Sequence, residues 1–239
     1  MVIELYFKNL NTMLFLEVTK RLPLALQPLY YSADEEKINK KNKCSNHDKL
    51  ERFANDNPLG FFLYFDGGYI NISINKKGKD SIFIQLPNTF EVDAIEPTIE
   101  KLIVLKPYYA YAAQWEERVF RNCLFKDCNG MTVEKFLGKA CELYLPGVYW
   151  GNLVSDKMAF ELKLNVDEIF SGFHRQRKIG GKFHWVEMYE QPKSWESNAD
   201  RLDLLCFDNK NVFSLDKIFD ELNDISDWQE LISYAKSWP

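Results

Sequence analysis

The sequence predicts an α+β fold in which mostly antiparallel strands are packed by amphipathic helices. Short strand-like segments joined by turns point to antiparallel pairing, and helical segments are mixed among them without strict βαβ alternation. The 239 residues contain 11 glycines and 9 prolines, and no linker is evident. We therefore expect a single compact domain over 1–239, with 1–106 and 107–239 as possible lobes.

The first elements are a strand and a helix. Residues 2–7 are rich in β-forming types, and residues 10–22 carry apolar side chains at helical spacing. Residues 34–48 are crowded with Lys, Asn, Asp and Glu, a composition that cannot build a core and predicts a mobile polar loop. Ser45 or Asn46 is suited to cap a short helix that follows.

The clearest pattern is an antiparallel meander over 61–65, 69–74 and 81–86. Its turns contain Asp66-Gly67-Gly68 and Lys77-Gly78, as tight connections between strands require. In the middle strand the isoleucines alternate with Asn and Ser, so one face is predicted to be buried.

The second half is predicted to alternate between helices and strands. The predicted helices are 92–105, 115–120, 132–144, 215–222 and 228–238, and the predicted strands are 108–113, 148–153, 158–164, 183–189 and 202–207. An Asn129-Gly130 turn precedes Thr132, the expected cap of the third helix. Ser226 and Asp227 are the capping candidates of the last one.

Charge disfavours a general nucleic-acid-binding surface. The chain has 30 Lys+Arg against 35 Asp+Glu, a net charge of -5, and 46% of its residues are hydrophobic, which excludes disorder. A basic cluster interrupts this balance at Arg175, Arg177, Lys178 and Lys182, and is typical of a solvated hairpin, with phosphate contact as the alternative. Residues 187–239 carry 12 acidic and 5 basic residues, which suits a basic partner or simple solubility.

Signals for cofactors, metals and export are weak. The five cysteines form no C-x-x-C pair and are expected to be buried, reduced side chains of a cytoplasmic protein. No P-loop, G-x-S-x-G or H-E-x-x-H motif occurs, and we expect no cofactor. His184 and Glu187 have H-x-x-E spacing, but on a strand they point to opposite faces, so no metal site is predicted. No apolar run reaches the length of a membrane span.

One fragment supports an enzymatic alternative. Glu161 and Lys163, if they lie on a strand, place a carboxylate and an ammonium on one face, as in Mg²⁺-dependent nucleases. Asp127 or Asp156 would supply the further acid. The same alternation is equally typical of any half-buried strand.

Residues 144–152, Tyr-Leu-Pro-Gly-Val-Tyr-Trp-Gly-Asn, preceded by the segment from Tyr109 to Glu116, resemble bacterial immunity proteins that neutralise polymorphic toxins. The resemblance implies a non-catalytic α+β protein that binds a cognate protein toxin stoichiometrically. Many such toxins are nucleases with basic grooves, so a basic contact surface is expected on the partner. A structural or adaptor domain remains an alternative.

The expected partner-binding patch combines aromatic and acidic residues around Pro192. Its members are Glu187, Glu190, Trp195, Glu196 and Asp200. Packing of Trp195 in the core would explain that residue equally well.

Overall fold

The computed structural model describes residues 1–35, 38–75, 80–128, 131–218 and 228–237. It confirms the α+β class with mostly antiparallel strands. The chain divides into two compact units, one of residues 1–112 with 178–183 and the other of residues 113–177 with 184–239.

The strands of the first unit follow the order β6-β1-β5-β4-β3-β2 and are β1 (Val2–Phe7), β2 (Tyr30–Ser32), β3 (Gly60–Phe65), β4 (Gly68–Ser73), β5 (Asp80–Gln85) and β6 (Tyr109–Ala113). The sequence correctly predicts the antiparallel meander of β3, β4 and β5. The predicted Lys77-Gly78 turn lies outside the described residues. In β4, Ile70 lies opposite Ile84 and Ile72 opposite Ile82, and all four are buried. The alternating pattern of β4 therefore has the predicted buried face.

Three helices accompany these strands: α1 (Thr12–Thr19), α2 (His47–Asp56) and α3 (Ile95–Leu102). Asn46 is the cap of α2, since its side chain accepts a hydrogen bond from the backbone N–H of Lys49. The predicted polar loop therefore ends at Asn46. Its described part is tied back by backbone hydrogen bonds, such as that from Cys44 to Leu29 at 2.9 Å. Its mobility stays a prediction.

The second unit contains the strands β7 (Cys123–Cys128), β8 (Met131–Phe136) and β9 (Gly151–Ser155) and the larger part of β10 (Arg175–Ile179) and β11 (Phe183–Glu187). β7 and β8 form a separate antiparallel hairpin, and the others follow the order β10-β11-β9. In the part of this unit that the structure describes, the α-helices are α4 (Trp115–Asn122), α5 (Asp156–Glu161), α6 (Val166–Ile169), α7 (Ala199–Asp208) and α8 (Trp228–Ser237).

The predicted helix over 132–144 is wrong. Residues 131–136 form β8, in which Lys135 lies opposite Leu124 and Glu134 opposite Phe125. Leu137 and Ala140 are three residues apart, as on one face of a helix, and both are buried. They enter the core from the irregular segment that follows β8 instead of from a helix. The predicted Asn129-Gly130 turn lies outside the described residues.

The predicted strands over 158–164 and 202–207 are also wrong. Ser155 caps α5 by accepting a hydrogen bond from Met158 N–H, which favours a helix where apolar alternation suggested a strand. In α7 the fully buried Leu202 and Cys206 lie four residues apart, the spacing of one helical face. The strand predicted over 148–153 is displaced to Gly151–Ser155. Parts of the last two predicted helices, with Ser226 and Asp227, lie outside the described residues.

Candidate binding groove of the second unit

Helix α4 places two oppositely charged side chains inside the second unit. Glu117 and Arg121 lie four residues apart and therefore share one face of the helix. Their side chains are 0% and 3% exposed, although Glu and Arg are rarely buried in this way. Burial of charge is costly unless the two groups are paired, as they are here.

Arg121 contacts two carboxylates, one on its own helix α4 and one on α7. Its Nη1 donates to Oδ1 of Asp203, on α7, at 2.5 Å. Its Nε lies 3.5 Å from Oε1 of Glu117, an ion-pair distance longer than a good N–H···O hydrogen bond. Among the described residues, neither carboxylate oxygen of Glu117 nor the hydroxyl of Tyr189 has a hydrogen-bond partner of good geometry.

Burial shifts the pKa values of Glu117, Tyr189 and Asp203. Burial raises the pKa of Glu117 from 4.5 to about 7, although the attraction of Arg121 lowers it in part. Burial, followed by the charge of Glu117, raises the pKa of Tyr189. Burial also raises the pKa of Asp203, against the opposing effect of Arg121 and with a smaller contribution from Asp216.

A groove of about 320 Å³ opens beside Arg121 and Asp203. Its lining comes from α4, β7, the segment between β8 and β9, α7 and the segment after α7, and consists of Val119, Phe120, Arg121, Cys123, Phe125, Gly147, Asp203, Cys206, Phe213, Ser214, Leu215 and Asp216. Phe120 is 47% exposed and Phe125 66%, while Asp216 is also exposed. The groove therefore presents large apolar rings together with carboxylates.

The segment that follows α7 is fixed by a lysine. Lys217 Nζ donates to the backbone carbonyls of Cys206, Asn209 and Val212 at 2.6, 2.7 and 2.8 Å. An ammonium that binds the last carbonyls of a helix stabilises its C-terminus. Because Lys217 follows Asp216 directly in the chain, these hydrogen bonds also fix the position of Asp216, the exposed carboxylate that lines the groove.

The other side of the groove is supported by Asn122 at the end of α4. Its side-chain amide donates to the carbonyls of Leu137 and Pro146 at 3.1 and 3.0 Å, and the Tyr149 hydroxyl donates to its oxygen. Gly138 has a φ of 76°, and a Cβ there would lie 2.5 Å from the Phe213 ring. These contacts order the irregular segment that carries Gly147 to the groove.

The five predicted patch residues differ in their exposure to solvent. Glu187 is buried, accepts from Trp185 Nε1 at 2.9 Å and lies 3.6 Å from Arg175, so it is engaged within the unit. Glu190, Glu196 and Asp200 are exposed.

Two of those residues adjoin the groove. The half-buried ring of Trp195 lies 5.5 Å from that of Phe120, and Asp200 is close enough to Asp203 to raise its pKa. Local sequence patterns do not predict the groove, because its lining is brought together by contacts between distant segments; the residues concerned are Phe120, Phe125, Arg121, Asp203 and Asp216. The sequence does show the i,i+4 spacing of Glu117 and Arg121, which places an acid and a base on one face of the predicted helix.

The nuclease hypothesis required Glu161 and Lys163 to lie on one strand, but this segment forms a helix and the turn that follows it. Glu161 ends α5, and Lys163 follows it with a left-handed φ of 53°. Asp127 accepts a hydrogen bond from the Thr132 hydroxyl, and Asp156 lies 2.9 Å from His184. Within the described residues no group of three His, Cys, Asp or Glu side chains could hold a metal ion.

The basic cluster lies on a hairpin of solvent-exposed side chains, as predicted, with Arg175 and Arg177 on β10 and Lys182 in the turn. Cys44, Cys123, Cys141 and Cys206 are free thiols. None of the helices in the described part of the chain has the length and hydropathy of a membrane span.

Comparison of the chain with models of protein families, with curated proteins and with solved structures finds no significant match in any of the three.

Proposed function

We infer that this protein is a non-catalytic immunity protein, which neutralises a cognate bacterial toxin in the cytoplasm by forming a stoichiometric complex with it. The observation that carries this proposal is the groove in which the exposed rings of Phe120 and Phe125 stand beside Asp203 and Asp216. Exposed aromatic anchors in a pocket are the features that dominate the energy of protein interfaces.

The groove is supported by packed and hydrogen-bonded side chains. Asn122 and Lys217 fix its two sides, and Arg121 ties α4 to α7. A surface that is already ordered loses little conformational entropy when a partner binds. This suits a stoichiometric inhibitor, which must bind tightly without chemistry.

The charge of the surrounding chain favours a basic partner. Residues 187–239 carry 12 acidic against 5 basic residues, and this stretch contributes Asp203 and Asp216 to the groove. Opposite charges across an interface speed association and fix its register. The resemblance of residues 144–152 to immunity proteins supports the same class of partner, a toxin with a basic contact surface.

The proposal is tested by co-expression with the protein encoded immediately upstream. That protein is expressed alone, with the wild-type chain and with the variant Phe120→Ala/Phe125→Ala. We expect growth arrest alone, growth with the wild-type chain and arrest again with the variant, at equal soluble amounts. Phe160→Ala is the matched control, because Phe160 is 84% exposed on α5 and does not line the groove. Growth that the wild-type chain leaves unchanged would overturn the proposal.

A further inference from the structure

We propose that the groove receives one arginine side chain of the partner, which stacks on Phe120 and Phe125 and pairs with Asp216. This inference rests on the proposed function and specifies the chemistry that the groove recognises. Four observations carry it: the size of the groove, its charge, the nature of its walls and the state of its two carboxylates.

The size of the groove fits a single long side chain. Its volume of about 320 Å³ lies near the lower end of the range of roughly 300–1,000 Å³ that ligand pockets occupy. Two rings and one carboxylate of its lining, those of Phe120, Phe125 and Asp216, are exposed, so a side chain that projects from a protein surface can reach them.

The charge of the groove favours a cation. Among the described residues that line it, Arg121 is the one cation, against the carboxylates of Asp203 and Asp216. The Arg121 guanidinium is 3% exposed and already lies against Asp203 and Glu117, so it presents little positive charge to the groove. Asp200 adds negative charge near Asp203.

The two carboxylates differ in their freedom to bind. Oδ1 of Asp203 accepts the hydrogen bond from Arg121, and its side chain is 26% exposed. Asp216 is exposed at the rim. Asp216 is therefore the partner of the incoming charge, and Asp203 contributes its field.

The walls distinguish arginine from lysine. A guanidinium is planar and weakly hydrated, stacks on aromatic faces and binds a carboxylate through two parallel N–H groups. A lysine ammonium is a strongly hydrated point charge, which loses more solvation between rings such as Phe120 and Phe125. Rings beside a carboxylate thus match the shape as well as the charge of arginine.

The probes are acetylated and amidated tripeptides, Gly-Arg-Gly, Gly-Lys-Gly, Gly-citrulline-Gly and Gly-Glu-Gly, titrated into the full chain. Binding is followed by NMR shifts of the backbone amides of Phe120, Phe125 and Asp216 and of the Trp195 indole. We expect the arginine peptide to bind roughly tenfold more tightly than the citrulline peptide, and also more tightly than the lysine peptide. Asp216→Asn should remove most of this preference, while Asp167→Asn, which changes an exposed carboxylate on α6, should leave it intact.

Equal binding of the lysine or citrulline peptide, preference for the glutamate peptide, or no binding of the arginine peptide would overturn the inference. So would an affinity that Asp216→Asn leaves unchanged. The failure of the proposed function is separate, because it is read from growth in the co-expression experiment. If growth still depends on Phe120 and Phe125 while the arginine peptide fails, the groove binds the partner through another group.

Discussion

Arg121 on α4 and Asp203 on α7, which are 82 positions apart in the sequence, form a hydrogen-bonded ion pair with an N–O distance of 2.5 Å. On its other side Arg121 meets Glu117, which is fully buried. The pair therefore connects a buried charge inside the second unit with the carboxylate that lines the groove.

Glu117→Gln should flatten the pH dependence of stability. The folded protein holds a proton on Glu117 more tightly than the unfolded chain, since its pKa is about 7 instead of 4.5. This contribution is fully present below the unfolded pKa and is lost as pH rises through the folded pKa. Urea unfolding should show the free energy of the wild type, relative to the variant, falling by about 2–3 kcal/mol between about pH 5 and pH 8.

The control for this measurement is Glu116→Gln, which changes an exposed carboxylate in the same turn of α4. Its difference from the wild type should stay nearly constant over the same pH range. A constant difference for Glu117→Gln as well would contradict the assignment of the proton to Glu117.

Arg121→Met should destabilise the protein by about 3–5 kcal/mol, because Glu117 and Asp203 both lose the buried cation with which they are paired. The double variant Glu117→Met/Arg121→Met should recover much of that loss, since well-packed apolar side chains replace buried ion pairs at little cost. Chemical denaturation measures both. Arg52→Met, at an exposed position of α2, is the control, and a double variant no more stable than Arg121→Met would refute the explanation.

Lys217→Met should destabilise the protein by about 2–3 kcal/mol, because three backbone carbonyls lose a charged donor. Lys210→Met is the matched control, since Lys210 is exposed in the same connection. Thermal unfolding of the two variants gives the comparison. Equal midpoints would show that the ammonium does not hold the segment after α7.

Alanine substitutions at two glycines with similar backbone conformations separate the cost of backbone strain from the cost of steric overlap. Gly138 and Gly181 have φ values of 76° and 72°, but a Cβ would lie 2.5 Å from Phe213 at Gly138 and meets nothing within 4 Å at Gly181. Gly181→Ala should therefore cost only the left-handed backbone strain of about 1–2 kcal/mol. Gly138→Ala should cost clearly more in the same denaturation experiment, and equal costs would argue against tight packing at Phe213.

The sequence predicts the first unit well because its elements depend on local chemistry. The meander of β3, β4 and β5 follows from alternation and turn residues, and the cap of α2 follows from Asn46. These signals act within a few residues of one another. No distant contact is needed to interpret them.

The second unit is predicted less well because long-range contacts override local periodicity. β8 is a strand because it pairs with β7, and residues 137–150 are ordered by Asn122 and Phe213 instead of by a helix. In the sequence Glu117 resembles any favourable first-turn glutamate, because its i,i+4 spacing to Arg121 does not show that both side chains are buried. The groove was missed for the same reason, since α4 and α7 meet only in the fold.

The most direct test of the central claim is the dissociation constant of the purified complex between this protein and the protein encoded immediately upstream. We predict a 1:1 complex that Phe125→Ala/Asp216→Asn weakens roughly 100-fold, while Phe160→Ala/Asp167→Asn changes its affinity less than about twofold. No measurable complex, or equal affinity of both double variants, would contradict the account.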